Sequence, residues 1–404
     1  MPLAVYVLGL GIFTQGTSEF MLSGLLPAMA DDLGVSIPDA GLLISAFAIG
    51  MVIGAPLLAV ATLRWPRRTA LVALQAVFIA AHVAGALAPG YGLLFATRVV
   101  SALAYAGFWG VAVAAAVALA PADAKAKAVA VVASGLTLAT IVGVPAGTVL
   151  SQSAGWRAAF WGVAALTLIS LVCTVFAVAG GKGVKEETRT VRSELRAMRE
   201  PRLWLSYAIT AFAFGAVIVT FSYLASLLTE ESGLAEGWVP AVLALFGVGG
   251  LIGMTIGGRL PERHSTRSLV LGLGAMVIAS AVLAVTARHM VVTLILVFVL
   301  GIAGYVTNPA LQARVFTLAP GAPTLVGAAN TAAFNIGNTV APALGGLTIA
   351  AGLGYASVAW VGAALGAAGL LGALWAGRLE RRGARPSTVV TGRPADRKPT
   401  AVDV

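Results

Sequence analysis

The sequence has very little charge for its length. Only 10% of its 404 residues are Asp, Glu, Lys or Arg, whereas 59% are hydrophobic and the mean hydropathy is +0.94. Soluble globular domains carry about 25% charged residues, so this chain could not cover a water-facing surface with polar groups. Intrinsic disorder requires low hydrophobicity and is excluded by the same numbers. The composition predicts an integral membrane protein.

Cysteine and histidine are also scarce. A single cysteine, Cys173, excludes a disulfide framework and a zinc site built from several thiolates. The three histidines are widely separated in the sequence, so we expect neither a metal site nor a cofactor. The motifs Gly-x-x-x-x-Gly-Lys, His-Glu-x-x-His and Gly-x-Ser-x-Gly do not occur, which excludes an ATP-driven pump and the commonest hydrolases. We therefore expect a protein that is not an enzyme.

Twelve apolar stretches, called spans 1 to 12 below, approach the length of about 20 residues that a transmembrane helix needs. They lie at residues 3–29, 40–62, 70–89, 92–119, 127–152, 157–180, 203–229, 238–258, 268–287, 290–313, 323–350 and 354–377. The longest polar break divides them six and six, an arrangement known from transporters with internal repeats. We predict an all-α membrane protein of two pseudo-symmetric six-helix bundles, 1–180 and 203–377, with a cytoplasmic linker at 181–202 and a disordered cytoplasmic tail at 378–404.

The basic residues are distributed unevenly between the two ends of the spans. Of the 26 Lys and Arg residues, 23 lie in the tail, in the breaks after even-numbered spans or at the first residue of the span that follows such a break. The breaks after odd-numbered spans, with the first residue of the following span, hold only Arg157 and Arg288. Because cytoplasmic loops of membrane proteins are enriched in Lys and Arg, we predict a multi-pass protein of the cell membrane with both termini in the cytoplasm.

Two of the Asp, Glu, Lys and Arg residues fall well inside the apolar spans, Glu19 in span 1 and Arg98 in span 4. A charge in the bilayer interior costs at least about 2.5 kcal/mol, so such residues usually face a cavity and mark an ion or proton pathway. The alternatives are a structural Glu–Arg pair or side chains that reach out to the membrane surface. We interpret both residues as proton-coupling candidates.

Polar side chains recur at helical spacing on four spans, which places them on one face of each helix. Single stripes of this kind also join helices to one another, but four together favour a water-accessible path. The predicted substrate cavity comprises Gln15, Ser23, Tyr105, Trp109, Tyr305, Asn308, Thr331 and Asn335.

Glycine and proline predict close packing and a bend. Span 5 contains Gly143-Val-Pro145-Ala-Gly147, in which the proline removes a backbone donor, so we expect the helix to bend there. Glycines four residues apart predict packing faces on spans 2 and 8; they are Gly50, Gly54, Gly249, Gly253 and Gly257.

Several of these motifs resemble those of the major facilitator superfamily, and within it the twelve-span drug:proton antiporters. They are Gly16-Thr-Ser-Glu19-Phe20 followed by Gly24-Leu-Leu-Pro27, Arg98-Val-Val-Ser101, the Gly143 to Gly147 segment, and Asn330 to Asn338. The overall resemblance is to the chloramphenicol-efflux proteins of actinobacteria. The Gly143, Pro145 and Gly147 segment is similar to the antiporter motif of that subgroup.

The resemblance implies a proton-coupled exporter of small neutral amphipathic antibiotics, most of all chloramphenicol, that works by alternating access. Glu19 would carry the proton and Arg98 would tune its carboxylate. The implied partners are drug, protons and lipid, without nucleic acid, and a monomer is expected. An exporter of sugars or other small metabolites with the same fold stays open as the alternative, because fold does not fix the ligand.

The loop after span 2 departs from the family pattern. It reads Leu63-Arg64-Trp65-Pro66-Arg67-Arg68 and lacks the usual acidic residue, whereas the second copy keeps Glu262-Arg263. The resemblance therefore assigns cytoplasmic gating to the residues Arg64, Arg67, Arg68, Glu262 and Arg263.

Overall fold

In the computed structural model, residues 1–62, 65–121, 124–178, 198–260, 265–319 and 323–383 are described, and no strand occurs within these ranges. The helices of the first half are Leu3–Phe20 and Leu22–Leu33 in span 1, Ile37–Thr62, Arg67–Ala86, Tyr91–Leu119, Lys125–Leu138 and Val144–Ala154 in span 5, and Trp156–Ala177. Those of the second half are Pro201–Ser222 and Leu224–Ser226 in span 7, Val239–Arg259, Ser265–Thr286, Met290–Val306 and Asn308–Leu318 in span 10, Pro323–Ala350 and Ser357–Gly383.

The interruptions of spans 5 and 10 coincide with prolines. In span 5 a π-helical turn, Ala139–Gly143, ends two residues before Pro145, and the Val144 N–H bonds to the Ala139 carbonyl five residues earlier. In span 10 the break at Thr307 comes directly before Asn308-Pro309. Since proline has no N–H and its ring crowds the preceding turn, the regular ladder cannot continue through either point. The predicted irregularity of span 5 takes the form of this wider turn.

The helix contacts repeat between the two halves of the chain. Span 2 packs against span 4 as span 8 packs against span 10, and span 1 packs against span 5 as span 7 packs against span 11. Spans 3 and 6 pair in the same way as spans 9 and 12. The contacts between the halves are also equivalent: span 2 packs against span 11, and span 5 packs against span 8. This pattern is the pseudo-symmetry expected of two six-helix bundles.

The predicted glycine faces are at close helix contacts. A Cβ added to Gly50 would come within 2.7 Å of the Val99 carbonyl oxygen of span 4, and one added to Gly54 within 2.9 Å of the Leu103 Cα. On span 8, Gly253 and Gly257 lie directly against backbone carbonyls of span 10. The prediction of packing faces is confirmed, because larger side chains there would force the helices apart.

Hydropathy distinguishes two spans from the other ten. Ten helices of the described chain are long and apolar enough to cross a membrane, and spans 1 and 11 are outside this set. These are two of the spans with polar stripes, from Gln15 to Ser23 and from Thr331 to Asn338. The two spans outside this set are therefore those in which we expect a pathway for polar species.

Two helices extend past predicted domain boundaries, and the division into domains stays a prediction. Span 12 does not end at residue 377 but stays helical to Gly383, because Glu380 pairs with Arg314 of span 10 at 2.7 Å and accepts a hydrogen bond from Thr266 at 3.1 Å. The helix of span 7 begins at Pro201, inside the predicted linker, with proline in its first turn, where its missing N–H is not needed. The rest of the predicted linker up to residue 197, and the tail from residue 384, lie outside the described residues.

A polar cluster ties span 1 to span 6 at the predicted extracellular end, where the loops after odd-numbered spans lie. Asp32 accepts hydrogen bonds from the Arg157 guanidinium and, at 3.0 Å, from the Trp156 indole. These donors hold the pKa of Asp32 below its usual range. Arg157 also donates to the Ala88 carbonyl at 3.2 Å, so the cluster reaches the loop between spans 3 and 4.

Candidate functional site

Glu19 lies where the two bundles meet. It is in the last turn of the first helix of span 1, just before the break at Met21, and only 7% of its surface is exposed. The Asn338 amide of span 11 donates a hydrogen bond to the Glu19 Oε1 atom at 3.3 Å. Asn338 is 1% exposed, and its Oδ1 atom has no hydrogen-bond partner in the described structure. A carboxyl group of one bundle thus contacts a buried amide of the other.

Arg98 is fully buried and is held by the residue next to Glu19. Its two terminal nitrogens donate to the Ser18 hydroxyl at 2.7 Å and to the Ser18 carbonyl at 2.9 Å. The guanidinium carbon lies 4.3 Å from the centre of the Phe47 ring of span 2, a cation–π contact. The fork of the guanidinium therefore binds two oxygens of a single residue.

Glu19 and Arg98 do not form the direct ion pair that the sequence left open. Three ion pairs within 4.0 Å occur among the described residues, and none contains either side chain. Ser18 supplies both acceptors to Arg98, so the carboxyl group is not occupied by the guanidinium. A carboxyl group with a cation nearby but not bound to it can exchange a proton without first breaking a bidentate pair.

His82 of span 3 completes the network around Ser18. Its Nε2 atom lies 2.7 Å from the Ser18 hydroxyl oxygen, and its Nδ1 atom lies 2.9 Å from the Phe78 carbonyl oxygen. Because a carbonyl only accepts, Nδ1 carries the proton and Nε2 accepts from Ser18 in the neutral ring. The Ser18 hydroxyl thus accepts from Arg98 and donates to His82. The chain of donors and acceptors joins spans 4, 1 and 3.

Two further buried ionisable groups are missed by the sequence prediction. His82, which is 1% exposed, is one of three histidines that look scattered in the sequence, and Arg314, which is 7% exposed, falls in a break between predicted spans. A signal for His82 exists, because an ionisable side chain inside an apolar span is itself uncommon. For Arg314 the partner Glu380 is far away in sequence, and only the fold brings the two together.

Three of the predicted cavity residues lie around Glu19. Gln15, one turn earlier on the same helix, is fully buried, and neither atom of its amide group has a hydrogen-bond partner in the described structure. Tyr105 of span 4 and Tyr305 of span 10 interact electrostatically with the Glu19 carboxyl group. Trp109 continues this face, with its ring 6.2 Å from that of Tyr105. Polar groups of both bundles therefore converge near Glu19.

Other predicted cavity residues bond within their own helices. Ser23 donates to the Phe20 carbonyl at 2.7 Å, Thr331 to the Gly327 carbonyl at 3.1 Å and Asn335 to the Thr331 carbonyl at 3.0 Å. Asn308 is 8% exposed at the start of the second helix of span 10. Their contact with a substrate stays a prediction.

The span-5 glycines lie against span 1, next to the coupling candidates. Gly143 packs so closely on Thr17 that an added Cβ would overlap the threonine hydroxyl. Gly147 is less crowded, since a Cβ there would lie 3.4 Å from the Met21 Cβ. Pro145 lies between them, two residues after the end of the π-helical turn. The assignment of Gly143, Pro145 and Gly147 to an antiporter mechanism stays a prediction.

The predicted cytoplasmic gate is only partly within the described residues. Arg67 and Arg68 lie in the first turn of span 3 and are half-buried, and no described acid forms an ion pair with either. Arg64, Glu262 and Arg263 lie outside the described residues. The gating role stays a prediction.

Known proteins with similar sequences are transporters. The Major Facilitator Superfamily matches residues 8–342 and 242–401 of the chain. A chloramphenicol resistance protein of Streptomyces lividans is 40% identical over 373 residues, which cover 92% of this chain and 95% of that protein. The inner membrane transport protein YdhP of Escherichia coli (strain K12) is 37% identical over 365 residues, which cover 90% of this chain and 93% of that protein.

Solved structures share the fold at much lower sequence identity. A variant of the nucleoside transporter NupG has a TM-score of 0.74 at 13% identity, covering 93% of this chain and 99% of that chain. An inward-facing, occupied bacterial homolog of the human lysosomal transporter Spinster has a TM-score of 0.70 at 16% identity, covering 93% and 96%. The predicted fold class and family resemblance are confirmed. The chain belongs to the Major Facilitator Superfamily and is a multi-pass membrane transporter rather than an enzyme.

Proposed function

We propose that the chain is a proton-coupled exporter of small neutral amphipathic antibiotics, with chloramphenicol as the favoured substrate. The observation that carries this proposal is the position of Glu19, a buried carboxyl group at the contact between the two bundles. Rocking of two bundles around a site near the membrane midplane alternates its access between the two sides. A carboxyl group at that contact becomes accessible from each side of the membrane in turn, as a proton carrier must.

The substrate class is supported by charge and by a relative. Arg98 stays next to the site through Ser18 and balances the charge of the Glu19 carboxylate, so no spare negative charge is left there to hold a permanent cation. The groups around Glu19 are instead an amide and aromatic hydroxyls, of Gln15, Tyr105 and Tyr305, which suit a neutral ligand with rings and polar groups. The Streptomyces lividans relative is named for chloramphenicol resistance.

The orientation in the membrane follows from the basic residues. The proposal places both termini, and the breaks after even-numbered spans with most of the Lys and Arg residues, in the cytoplasm. In that orientation Glu19 takes up a proton from outside and releases it inside while the drug leaves the cell.

A susceptibility panel in a strain without its own major drug pumps tests the substrate class. Expression of the chain is expected to raise the inhibitory concentration of chloramphenicol at least about fourfold and to change that of ethidium or tetraphenylphosphonium by less than about twofold, because a cation finds no free counter-charge. Protection against the cations without protection against chloramphenicol would contradict the proposal. Protection against neither drug class, with uptake or efflux of a sugar, would favour the metabolite exporter.

A further inference from the structure

The contact between Glu19 and Asn338 is incomplete in one respect. The Asn338 nitrogen donates to the Glu19 Oε1 atom at 3.3 Å, but the Asn338 Oδ1 atom is buried and has no partner in the described structure. A buried acceptor without a donor costs free energy, and a carboxylate cannot supply a donor. A protonated carboxyl group can, because it carries one O–H donor and keeps an acceptor oxygen.

We propose that Asn338 reads the protonation state of Glu19. The neutral carboxyl group forms two hydrogen bonds with the amide, one in each direction, whereas the carboxylate forms only one and leaves the Asn338 oxygen unpaired. This inference rests on the proposed proton coupling and names the residue of the second bundle that detects the proton.

The two partners belong to different bundles, so their contact affects how tightly the bundles are held together. Other contacts between the bundles are nearby: Ser45 of span 2 donates to the Thr339 carbonyl at 2.7 Å, and Phe20 meets Phe221 edge to face at 6.3 Å. At the predicted extracellular end, Gln152 donates to the Glu236 carbonyl at 2.6 Å. The structure therefore has the bundles together on this side, and protonation of Glu19 stabilises that arrangement by completing the pair. Loss of the proton removes one bond and favours separation.

Other ionisable groups around Glu19 do not supply this link. Arg98 and Tyr105 belong to the same bundle as Glu19, and His82 reaches it only through Ser18. Tyr305 belongs to the second bundle, but its phenol is within electrostatic range without a hydrogen bond to Glu19 among the described residues. Asn338 is the side chain of the second bundle that forms a hydrogen bond with the carboxyl group.

The test measures the distance between the bundles as a function of pH in the full-length protein. Spin labels are attached at Ala154→Cys and Leu353→Cys, both exposed at the predicted extracellular end, in a Cys173→Ala background, since Cys173 is the one native thiol. Double electron–electron resonance then gives the populations of closed and open states between about pH 5 and pH 8. Low pH is expected to raise the closed-to-open ratio by about two- to tenfold, the range that one net hydrogen bond provides.

Four variants test whether Asn338 is the residue that senses the proton. Asn338→Leu is expected to lose the pH response, whereas Asn330→Leu is expected to keep it, because the Asn330 amide bonds to Thr210 within its own bundle. Glu19→Gln is expected to stay mostly closed at every pH, since its amide can form both bonds with Asn338. The double variant Glu19→Gln with Asn338→Leu is expected to lose that bias.

The outcomes that overturn the inference are distinct from failure of the proposed function. A pH response of Asn338→Leu equal to wild type, or a closed bias of Glu19→Gln that survives Asn338→Leu, would overturn it. A pH response that persists in Glu19→Gln would overturn it as well and would assign the sensing to another group, His82 first. Absence of proton-driven transport in the wild-type protein would instead refute the proposed function.

Discussion

Arg98 binds Ser18 through two of its nitrogens and stacks on Phe47, so its planar fork is used as well as its charge. A lysine keeps the charge but is a point donor without the flat face. We predict that Arg98→Lys lowers drug transport at least about tenfold, measured as initial efflux rate at equal amounts of protein. Arg157→Lys is the control, because Arg157 is partly exposed and pairs with Asp32 rather than with the Glu19 network. A wild-type rate for Arg98→Lys would show that charge alone is sufficient.

At the residue scale, the sequence predicted Glu19 and Arg98 because charges are conspicuous in apolar spans. It could not predict that the Arg98 guanidinium binds Ser18 rather than Glu19, because the two acceptors are adjacent residues of the same helix. Nor could it predict the bond from Asn338 to Glu19, which joins residues 319 positions apart. Such contacts depend on which helices meet, and hydropathy does not contain that information.

At the element scale, span 5 offers a matched pair of glycines. Gly143→Ala is expected to slow transport at least about fivefold, because the methyl group would overlap the Thr17 side chain and push span 5 away from span 1. Gly147→Ala is expected to stay within about twofold of wild type, since its methyl group would only reach contact with Met21 at 3.4 Å. Monomeric elution of both purified variants would show that the protein folds. Equal rates for the two would remove the close contact from the mechanism.

The last turns of span 12 show why hydropathy misplaced a helix end. Residues after 377 are polar, yet the helix continues because Glu380 meets the buried Arg314. Glu380→Ala would leave the arginine buried without its carboxylate, an effect reduced by the 41% exposure of the Glu380 side chain. We predict a loss of about 1–2 kcal/mol in the free energy of unfolding, measured by detergent-induced unfolding of the purified protein.

The surface pair of Glu200 and Arg202 provides the control for that measurement. The two side chains are 3.9 Å apart and each is 45% exposed, so Glu200→Ala is expected to change the free energy of unfolding by less than about 0.5 kcal/mol. Similar losses in the free energy of unfolding for Glu380→Ala and Glu200→Ala would show that the ion pair between Glu380 and the buried Arg314 does not stabilise the protein.

At the scale of the whole molecule, the sequence predicted twelve spans and their division into two sets of six from polar breaks and basic residues. It could not predict that the halves meet through spans 2 and 11 and spans 5 and 8, because interface helices and lipid-facing helices are equally apolar. In the structure this interface brings together spans 1 and 11, the two outside the set of strongly apolar helices, at Glu19 and Asn338. In the proposed mechanism, transport is the opening and closing of that interface under the control of protonation at Glu19.

Drug accumulation by purified protein in liposomes is the decisive measurement for proton coupling by Glu19. A pH gradient, with no other energy source, is imposed across the membrane, and accumulation of radiolabelled chloramphenicol is followed for the wild-type protein and Glu19→Gln. We predict accumulation against the concentration gradient by the wild type, collapse on addition of a protonophore, and no uphill accumulation by Glu19→Gln although it still binds the drug. Uphill accumulation by Glu19→Gln, equal to wild type and sensitive to the protonophore, would show that Glu19 does not carry the proton.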